Sequence, residues 1–248
     1  MAVGSISTPY SWCRTAKKYI EIGRFFEKLS IFVVCKRALP RHGTVKRMSI
    51  SIKAKFKCSS ERISQVPKDS LPDIAFIGRS NVGKSSLVNM LTGIHGLAKV
   101  SGTPGKTRLI NHFIINDSWY LVDLPGYGYA RVSKSTRGEF SKLITDYVLK
   151  CEKMHFLFVL VDSRLEPQKI DLRFIELLGM NGIPFGIIFT KADKLSRAQF
   201  ERSMSTYRKT LSEQWEELPP MLVSSSEKGT GREEILAFID ECLTNVEK

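Results

Sequence analysis

Acidic residues are almost absent from the first 60 positions of this 248-residue chain, which contain only Glu21 and Glu27. The same stretch carries 13 lysines and arginines and many serines, whereas residues 61–248 carry 25 basic and 23 acidic residues. Most of the net charge of +13 therefore lies at the front of the chain. Such a front is typical of an organellar transit peptide, which favours a mitochondrion or a chloroplast over the cytoplasm. A basic nucleic-acid-binding arm is the alternative.

Long apolar runs are lacking as well. The run LSIFVVC in the basic region has only seven residues, and no segment has 18 consecutive apolar residues, so no membrane-spanning helix is predicted. The five cysteines show no paired spacing and no histidine partner, which argues against a cysteine-based metal centre. With 42% hydrophobic residues, the chain has enough apolar material for one good-sized domain.

From Leu71 onward, apolar strand-like runs alternate with helical patterns. The runs FLFVLV and FGIIF are apolar on both faces, as expected for strands covered by helices on each side. The runs LINHFII and SWYLVDL flank the turn NDS and predict a hairpin. We therefore predict an α/β fold over residues 70–246, a three-layer doubly wound and mostly parallel six-stranded sheet with one antiparallel edge pair. Residues 1–65 are expected to form a basic, disordered extension.

The segment GRSNVGKS fits the phosphate-loop pattern G-x-x-x-x-G-K-[ST], and it follows a predicted strand and opens a predicted helix. Its glycines let the backbone amides turn inward toward phosphates, and the helix N-terminus adds partial positive charge. The lysine supplies a full charge to the β- and γ-phosphates, and the final serine supplies a hydroxyl ligand for Mg²⁺. The predicted phosphate-binding residues are Gly78, Arg79, Ser80, Asn81, Val82, Gly83, Lys84 and Ser85.

The strand WYLVD ends in the segment Asp123, Leu124, Pro125 and Gly126. An acid at the tip of a neighbouring strand can hold magnesium through water, and the amide of Gly126 can then reach the γ-phosphate. We therefore predict that all four residues contribute to the nucleotide site, with Asp123 and Ser85 on the metal.

The strand FGIIFT runs directly into Thr190, Lys191, Ala192 and Asp193. A carboxylate there can accept both N1–H and the N2 amino group of guanine, whereas adenine offers neither donor and would leave the carboxylate unpaired. The stem of Lys191 can lie over the base. After the last strand, backbone amides of the turn formed by Ser224, Ser225 and Ser226 are predicted to meet the guanine O6.

In this order, GRSNVGKSS, TPGKT, DLPGYGYA, TKAD and SSSEKGTG resemble the translation-factor-related P-loop GTPases, and most closely the EngB family of ribosome-assembly GTPases. The resemblance covers about Leu71 to Leu243. It implies that Thr107 joins Ser85 as a magnesium ligand, with Thr103 as a competitor for that role. It also implies nucleotide contacts from Gly105 and Lys106, a first switch segment at 97–109 and a second from Asp123 to about Lys134.

The resemblance further implies a monomeric, Mg²⁺-dependent GTPase that binds GTP and GDP and acts as a switch in assembly of the large ribosomal subunit. Its partner would then be the pre-ribosomal large subunit or ribosomal RNA. Two alternatives stay open. One is a GTP-gated binding module with negligible hydrolysis that regulates cell or organelle division, and the other is an RNA-binding protein that acts through its basic arm.

Hydrolysis is expected to involve Lys84, Thr107, Gly126 and Asn81. In Ras-like switches a glutamine after D-x-x-G orients the attacking water, and here that position is Tyr127, so slow intrinsic turnover is predicted. The aromatics and glycines of the stretch YGYARVSK suit a surface that reshapes on hydrolysis, and an aromatic packing cluster is an equally good interpretation of its tyrosines. Asn81 resembles the asparagine that helps to hold K⁺ in potassium-activated relatives, or else it only tolerates a strained backbone. Arg79, Lys106 and Arg108 are alternative charge donors, unless they are solvated.

Overall fold

The computed structural model describes residues 52–99, 109–127 and 134–244, and for residues 134–141 the helical backbone alone. Within these ranges the strands are β1 (Ala54–Ser60), β2 (Asp73–Gly78), β3 (Ile110–Ile115), β4 (Trp119–Asp123), β5 (Met154–Asp162), β6 (Phe185–Thr190) and β7 (Met221–Val223). The α-helices are α1 (Lys84–Thr92), α2 (Lys134–Lys150), α3 (Lys169–Met180), α4 (Arg197–Ser212) and α5 (Arg232–Thr244).

The strands form one sheet in the order β1-β3-β4-β2-β5-β6-β7. The pairs β1–β3 and β3–β4 are antiparallel, and the remaining neighbours are parallel. This arrangement confirms the predicted doubly wound, mostly parallel α/β fold with an antiparallel edge. Because β2, β4, β5 and β6 are parallel, their carboxyl ends meet along one side of the sheet, which is where ligands bind in such folds.

The sheet has a seventh strand, β1, which the prediction of six strands had missed. Residues 54–60 had been assigned to the basic extension, but they pair with β3 from Ala54 opposite Ile115 to Ser60 opposite Ile110. The strand was hidden because Lys55, Phe56 and Lys57 are all exposed, and a bulge between Phe56 and Cys58 interrupts the alternation. Lysines on an edge strand also discourage pairing with another chain. The prediction of a disordered extension over residues 1–65 is therefore wrong for residues 54–60, and residues 1–51 lie outside the described part.

Alternating side chains of the central strands enter two separate cores. Ala75 and Ile77 face one layer of helices, where α2, α3 and α4 contribute Tyr147, Ile175 and Tyr207 among others. Ile74 and Phe76 face the other layer, formed mainly by α1 and α5. All six residues of β2 are buried, which explains why the central strands are apolar on both faces.

The hairpin predicted between β3 and β4 is present. Its turn places Asn116 and Asp117 at φ of 50° and 56°, and the amide of Ser118 donates to the carbonyl of Ile115 at 3.0 Å. Asparagine and aspartate tolerate this left-handed conformation better than other side chains, which makes the tight turn favourable. None of the helices in the described ranges has the length and apolarity needed to cross a bilayer.

Candidate functional site

The phosphate loop connects the end of β2 to the start of α1. A Cβ on Gly78 would lie 2.8 Å from the carbonyl oxygen of Leu160 and 2.9 Å from Cγ1 of Val82, so only glycine fits there. Asn81 and Gly83 adopt left-handed conformations, with φ of 62° and 104°. These turns fold the chain back on itself and let successive amides point to one side of the loop.

Helix α1 begins directly after Gly83, and the first amide bonded within it is that of Leu87, which donates to the carbonyl of Gly83 at 2.9 Å. The amides that precede it in the first turn have no partner within the helix and are suited to an anion. Ser85, the second residue of the helix, is half-buried at this end. The predicted phosphate-binding segment therefore has the strand–loop–helix context that the motif requires.

Lys84 and Asp123 bring opposite charges together beneath the loop. The ammonium of Lys84 contacts a carboxylate oxygen of Asp123, and the two side chains are only 8% and 3% exposed. Asp123 is placed by the parallel pairing of β4 with β2, in which it lies opposite Phe76. A buried pair of this kind is costly unless both charges have further partners, which is typical of a site that handles charged ligands.

The residues present fit a magnesium ion held between protein and phosphate. The Ser85 hydroxyl and the Asp123 carboxylate are hard oxygen ligands at neighbouring ends of α1 and β4. Among the described residues, no group of three or more histidine, cysteine, aspartate or glutamate side chains is placed to hold a metal. In nucleotide sites Mg²⁺ takes one or two protein oxygens and completes its shell with phosphate and water, which the Ser85 hydroxyl and the Asp123 carboxylate would allow.

Gly126 lies directly against the phosphate loop. A Cβ on this residue would be 3.0 Å from the carbonyl oxygen of Gly78 and 3.3 Å from the amide nitrogen of Ser80. Two hydrogen bonds extend the strand pairing here, from the amide of Leu124 to Phe76 at 3.0 Å and from the amide of Tyr127 to Gly78 at 3.2 Å. Leu124 and Pro125 are both buried and carry the chain from Asp123 to Gly126.

Tyr127 is a packing residue. Its ring stacks on that of Phe174 from α3, with centroids 4.9 Å apart and an interplanar angle of 28°. Of the two interpretations that the sequence left open for this tyrosine, the geometry favours the aromatic cluster. Arg79 also departs from the expectation of a solvated side chain, because its Nε lies 3.2 Å from the buried carboxylate of Asp171.

Lys191 joins the end of β6 to the phosphate loop. Its Nζ donates to the carbonyl of Asn81 at 2.7 Å and to the carboxylate of Asp162 at 2.9 Å. The residue itself adopts a left-handed conformation, with φ of 57°. Thr190, which precedes it, donates to the carbonyls of Val82 at 2.7 Å and Val161 at 3.0 Å. The predicted guanine segment therefore holds the predicted phosphate segment in place through hydrogen bonds to its main-chain carbonyls.

Asp162, at the end of β5, was missed by sequence reasoning. Burial opposes its charge, but hydrogen bonds from Arg164 and Lys191 outweigh that effect and lower its pKa to about 2. It therefore stays ionised and fixes the direction of the Lys191 side chain. The available signal was an acid at the tip of the strand FLFVLVD, beside the strand that carries TKAD.

Asp193 is held by the serine turn after β7. The hydroxyl of Ser225 donates to its carboxylate at 2.6 Å, and Lys194 lies 3.1 Å away. The hydrogen bond from Ser225 lowers the pKa of Asp193, with Lys194 adding to the effect and burial opposing it. An ionised carboxylate with fixed orientation is what recognition of two guanine N–H groups requires.

The serine turn is itself closed by backbone bonds. Ser225 and Thr230 exchange amide–carbonyl hydrogen bonds of 3.0 and 3.1 Å, and the amide of Ala192 donates to Ser224 at 3.2 Å. Ser226 is half-buried next to them. The structure thus brings the segments at 190–193 and 224–226 together. Gly105, Lys106 and Thr107, as well as Thr103 and Arg108, lie outside the described residues.

Comparison with known proteins agrees with this geometry. Residues 73–191 match the sequence model of a family described as 50S ribosome-binding GTPase. The probable GTP-binding protein EngB of Phocaeicola vulgatus is 60% identical over 189 residues, which are 76% of this chain and 94% of that relative. The protein of the same name from Porphyromonas gingivalis is 59% identical over 188 residues, with coverage of 76% and 94%.

Solved structures share the fold. The crystal structure of a probable GTP-binding protein engB superposes with a TM-score of 0.57 at 22% identity, over 69% of this chain and 98% of that one. The structure of Era from Aquifex aeolicus, bound to GDP and AlF4⁻, gives a TM-score of 0.54 at 21% identity, over 68% and 56% of the two chains.

A strand–loop–helix phosphate site, an acid at the tip of the adjacent strand and the TKAD segment define a P-loop GTPase, which binds GTP and hydrolyses it to GDP and phosphate. Identity of 60% over three-quarters of the chain is decisive at the level of the family. The chain belongs to the EngB family of GTP-binding proteins, as the motifs had indicated.

Proposed function

We propose that this GTPase binds GTP together with Mg²⁺ and acts as a switch in assembly of the large ribosomal subunit. The observation that carries the nucleotide part is the contact of Lys191 with the carbonyl of Asn81, because it fixes the guanine segment and the phosphate loop as one unit. In this proposal the carboxylate of Asp193 accepts from guanine, and Lys84 and the loop amides bind the phosphates.

Ser85 and Asp123 are the described residues that hold the metal in this proposal, with Thr107 as a third ligand from the first switch segment. When bound, Mg²⁺ neutralises negative charge on the β- and γ-phosphates. The amide of Gly126 binds the γ-phosphate. Its backbone already lies beside the loop, where an added Cβ would be only 3.0 Å from the carbonyl oxygen of Gly78.

Intrinsic hydrolysis is slow in this account. The position that carries a water-orienting glutamine in Ras-like switches is Tyr127, whose ring stacks on Phe174. A side chain engaged in packing is poorly placed to orient an attacking water. We propose that the large-subunit precursor supplies a group that orients the attacking water and thereby accelerates hydrolysis.

The ribosomal role is supported by the description of the matched family as a ribosome-binding GTPase and by the relatedness to EngB proteins. Its test is single-turnover hydrolysis of GTP by the full chain, with and without purified large-subunit precursors. Acceleration by the precursor, with mature small subunits as the control, supports the switch. Equal rates with and without precursor would contradict the proposed ribosomal partner while leaving the GTPase activity itself unaffected.

We further propose that the protein works in an organelle, a mitochondrion or a chloroplast. The support is compositional: the first 60 positions carry 13 basic residues against two acids, and the match to the Phocaeicola vulgatus relative covers 76% of the chain. Sequencing the N-terminus of the protein recovered from each purified organelle tests this directly. Import and cleavage before β1 are expected, and an intact N-terminus recovered from the cytosol contradicts the proposal.

A further inference from the structure

A buried charged cluster connects the phosphate loop with two helices. The side chain of Asp171, on α3, is completely buried, and Nε of Arg79 lies 3.2 Å from its Oδ2. Tyr127 follows Gly126, and its buried hydroxyl lies close enough to Asp171 for that carboxylate to raise the pKa of the phenol. Tyr207, from α4, lies close enough for the charge of Asp171 to act on its hydroxyl. Asp171 and Tyr207 lie outside every sequence motif described above, and Arg79 was predicted to contact phosphate.

The polar atoms of this cluster are poorly satisfied. Burial raises the pKa of Asp171, while the charge of Arg79 and the hydroxyl of Tyr127 favour its ionised form. Burial also raises the pKa of Tyr127 well above its usual range, and Asp171 adds to that shift, so the phenol keeps its proton. Yet within the described part of the chain, no hydrogen bond of good geometry reaches either carboxylate oxygen, Nε of Arg79 or the two phenolic hydroxyls.

Such a cluster is not explained by stability. A buried polar atom without a good hydrogen bond destabilises the fold, and apolar residues of the same volume often replace buried ion pairs without loss of stability. Under-satisfied buried groups of this kind are found where a structure has to change or to be held in place for function. The position of Tyr127 shows what is being held.

Tyr127 is fixed at both ends. Its amide donates to the carbonyl of Gly78 at 3.2 Å, and it forms a parallel bridge with Arg79. Its ring stacks on Phe174, one turn along α3 from Asp171. Because Tyr127 is held in this way, the preceding residue, Gly126, stays against the loop. A Cβ added to Gly126 would lie 3.3 Å from the amide nitrogen of Ser80.

We propose that Asp171 is a positioning residue for the γ-phosphate site: through Arg79 and the hydroxyl of Tyr127 it keeps the amide of Gly126 beside the phosphate loop. This inference rests on the proposed role of Gly126 as a ligand of the γ-phosphate. GDP has no γ-phosphate, so the cluster stabilises binding of the triphosphate and leaves binding of the diphosphate nearly unchanged.

The test compares two substitutions that each remove one phenolic hydroxyl near the same carboxylate. Tyr127→Phe keeps the stack on Phe174 and removes the hydroxyl on the chain that follows Gly126. Tyr207→Phe is the matched control, because Tyr207 belongs to α4 and has no backbone bond to the phosphate loop among those described. Dissociation constants for GDP and for a non-hydrolysable GTP analogue are measured by calorimetry on the full chain.

Tyr127→Phe is expected to weaken the GTP analogue about 5-fold, because it removes the polar contact between the hydroxyl and the Asp171 carboxylate, while GDP binding changes less than about 2-fold. Tyr207→Phe is expected to leave the ratio of the two constants as in the unmodified protein. Asp171→Asn should shift the ratio in the same direction as Tyr127→Phe. Combining it with Tyr127→Phe should add little, because both substitutions break one connection.

The inference is overturned if Tyr127→Phe weakens both nucleotides equally or neither, or if Tyr207→Phe shifts the ratio as much. Should Asp171→Asn fail to give a cooperative thermal transition, the two tyrosine variants decide alone. Failure of the proposed function looks different, because the unmodified chain would then bind the GTP analogue no more tightly than an ATP analogue.

Discussion

The side-chain ammonium of Lys191 donates a hydrogen bond to the main-chain carbonyl of Asn81, 2.7 Å away and 110 positions earlier in the sequence. The same ammonium donates to Asp162 at 2.9 Å. One lysine thus fixes the loop that binds phosphates relative to the segment that reads the base. This connection explains why two short motifs, each common by itself, work as a single site.

Replacing Lys191 with methionine is expected to weaken GTP and GDP alike by about 10- to 100-fold. The reason is that hydrogen bonds to a charged group contribute about 1.5–3 kcal/mol each, and the loop loses its anchor. Calorimetric titration measures both constants. Lys150→Met is the matched control, because Lys150 is 67% exposed and pairs with Asp146 of its own helix rather than with the nucleotide segments. Equal affinities for the Lys191 and Lys150 variants would contradict the anchoring role.

Asp162 gives a prediction for the pH dependence of stability. Its pKa is lowered from the ordinary 3.8 to about 2 in the folded protein, so its contribution is fully present above pH 4 and is lost as the pH falls toward 2. Asp162→Asn should therefore be less stable than the unmodified protein by about 1–2 kcal/mol at neutral pH. Urea unfolding measured from pH 6 to pH 2 should show that the difference shrinks as acid is added. A difference that is independent of pH would exclude the ionised carboxylate as its cause.

Gly78→Ala tests the close approach at the start of the loop. The added methyl would lie 2.8 Å from the carbonyl oxygen of Leu160, and overpacking of this kind costs about 1–3 kcal/mol. We expect a lower free energy of unfolding together with weaker nucleotide binding. Gly93→Ala is the contrast, because space around Gly93 is open and only its φ of 72° is unfavourable. That variant should lose about 1 kcal/mol of stability and keep its affinity for GTP.

Potassium ions distinguish the two roles left open for Asn81. The residue has a φ of 62°, and its main-chain carbonyl accepts a hydrogen bond from Lys191. Its side-chain amide is exposed and is therefore accessible to an ion. If Asn81 helps to hold K⁺, GTP turnover should be faster in KCl than in NaCl at equal ionic strength, and Asn81→Ala should remove the difference. Equal rates in the two salts would leave Asn81 with its conformational role alone.

The sequence was most informative where a local rule fixes a residue type. The loop at 78–85 needs glycine at Gly78 and Gly83 and has a strand before it and a helix after it, which a single sequence displays fully. Asp123 and Asp193 could be placed from strand ends, because parallel strands bring their carboxyl ends to one edge of the sheet.

What the sequence did not reveal depends on distant neighbours. β1 carries exposed lysines and a bulge, so its sequence pattern resembles that of a basic extension. Its strand character is evident only from the pairing with β3. Asp171 reads as an ordinary polar position of a helix, and only packing of α3 against Arg79 and Tyr127 makes it a buried charge. Burial of a charged group follows from tertiary contacts, which local periodicity does not contain.

The most direct test of the whole account is nucleotide selection by Asp193. Asn replaces two acceptor oxygens with one acceptor and one donor, which suits the N1–H and the C2 carbonyl of xanthine better than the two N–H groups of guanine. Calorimetry on the full-length Asp193→Asn variant should show GTP affinity lowered by about 100-fold or more and xanthosine triphosphate affinity raised. Unchanged preference for GTP in this variant would contradict the assignment of the guanine site at the end of β6.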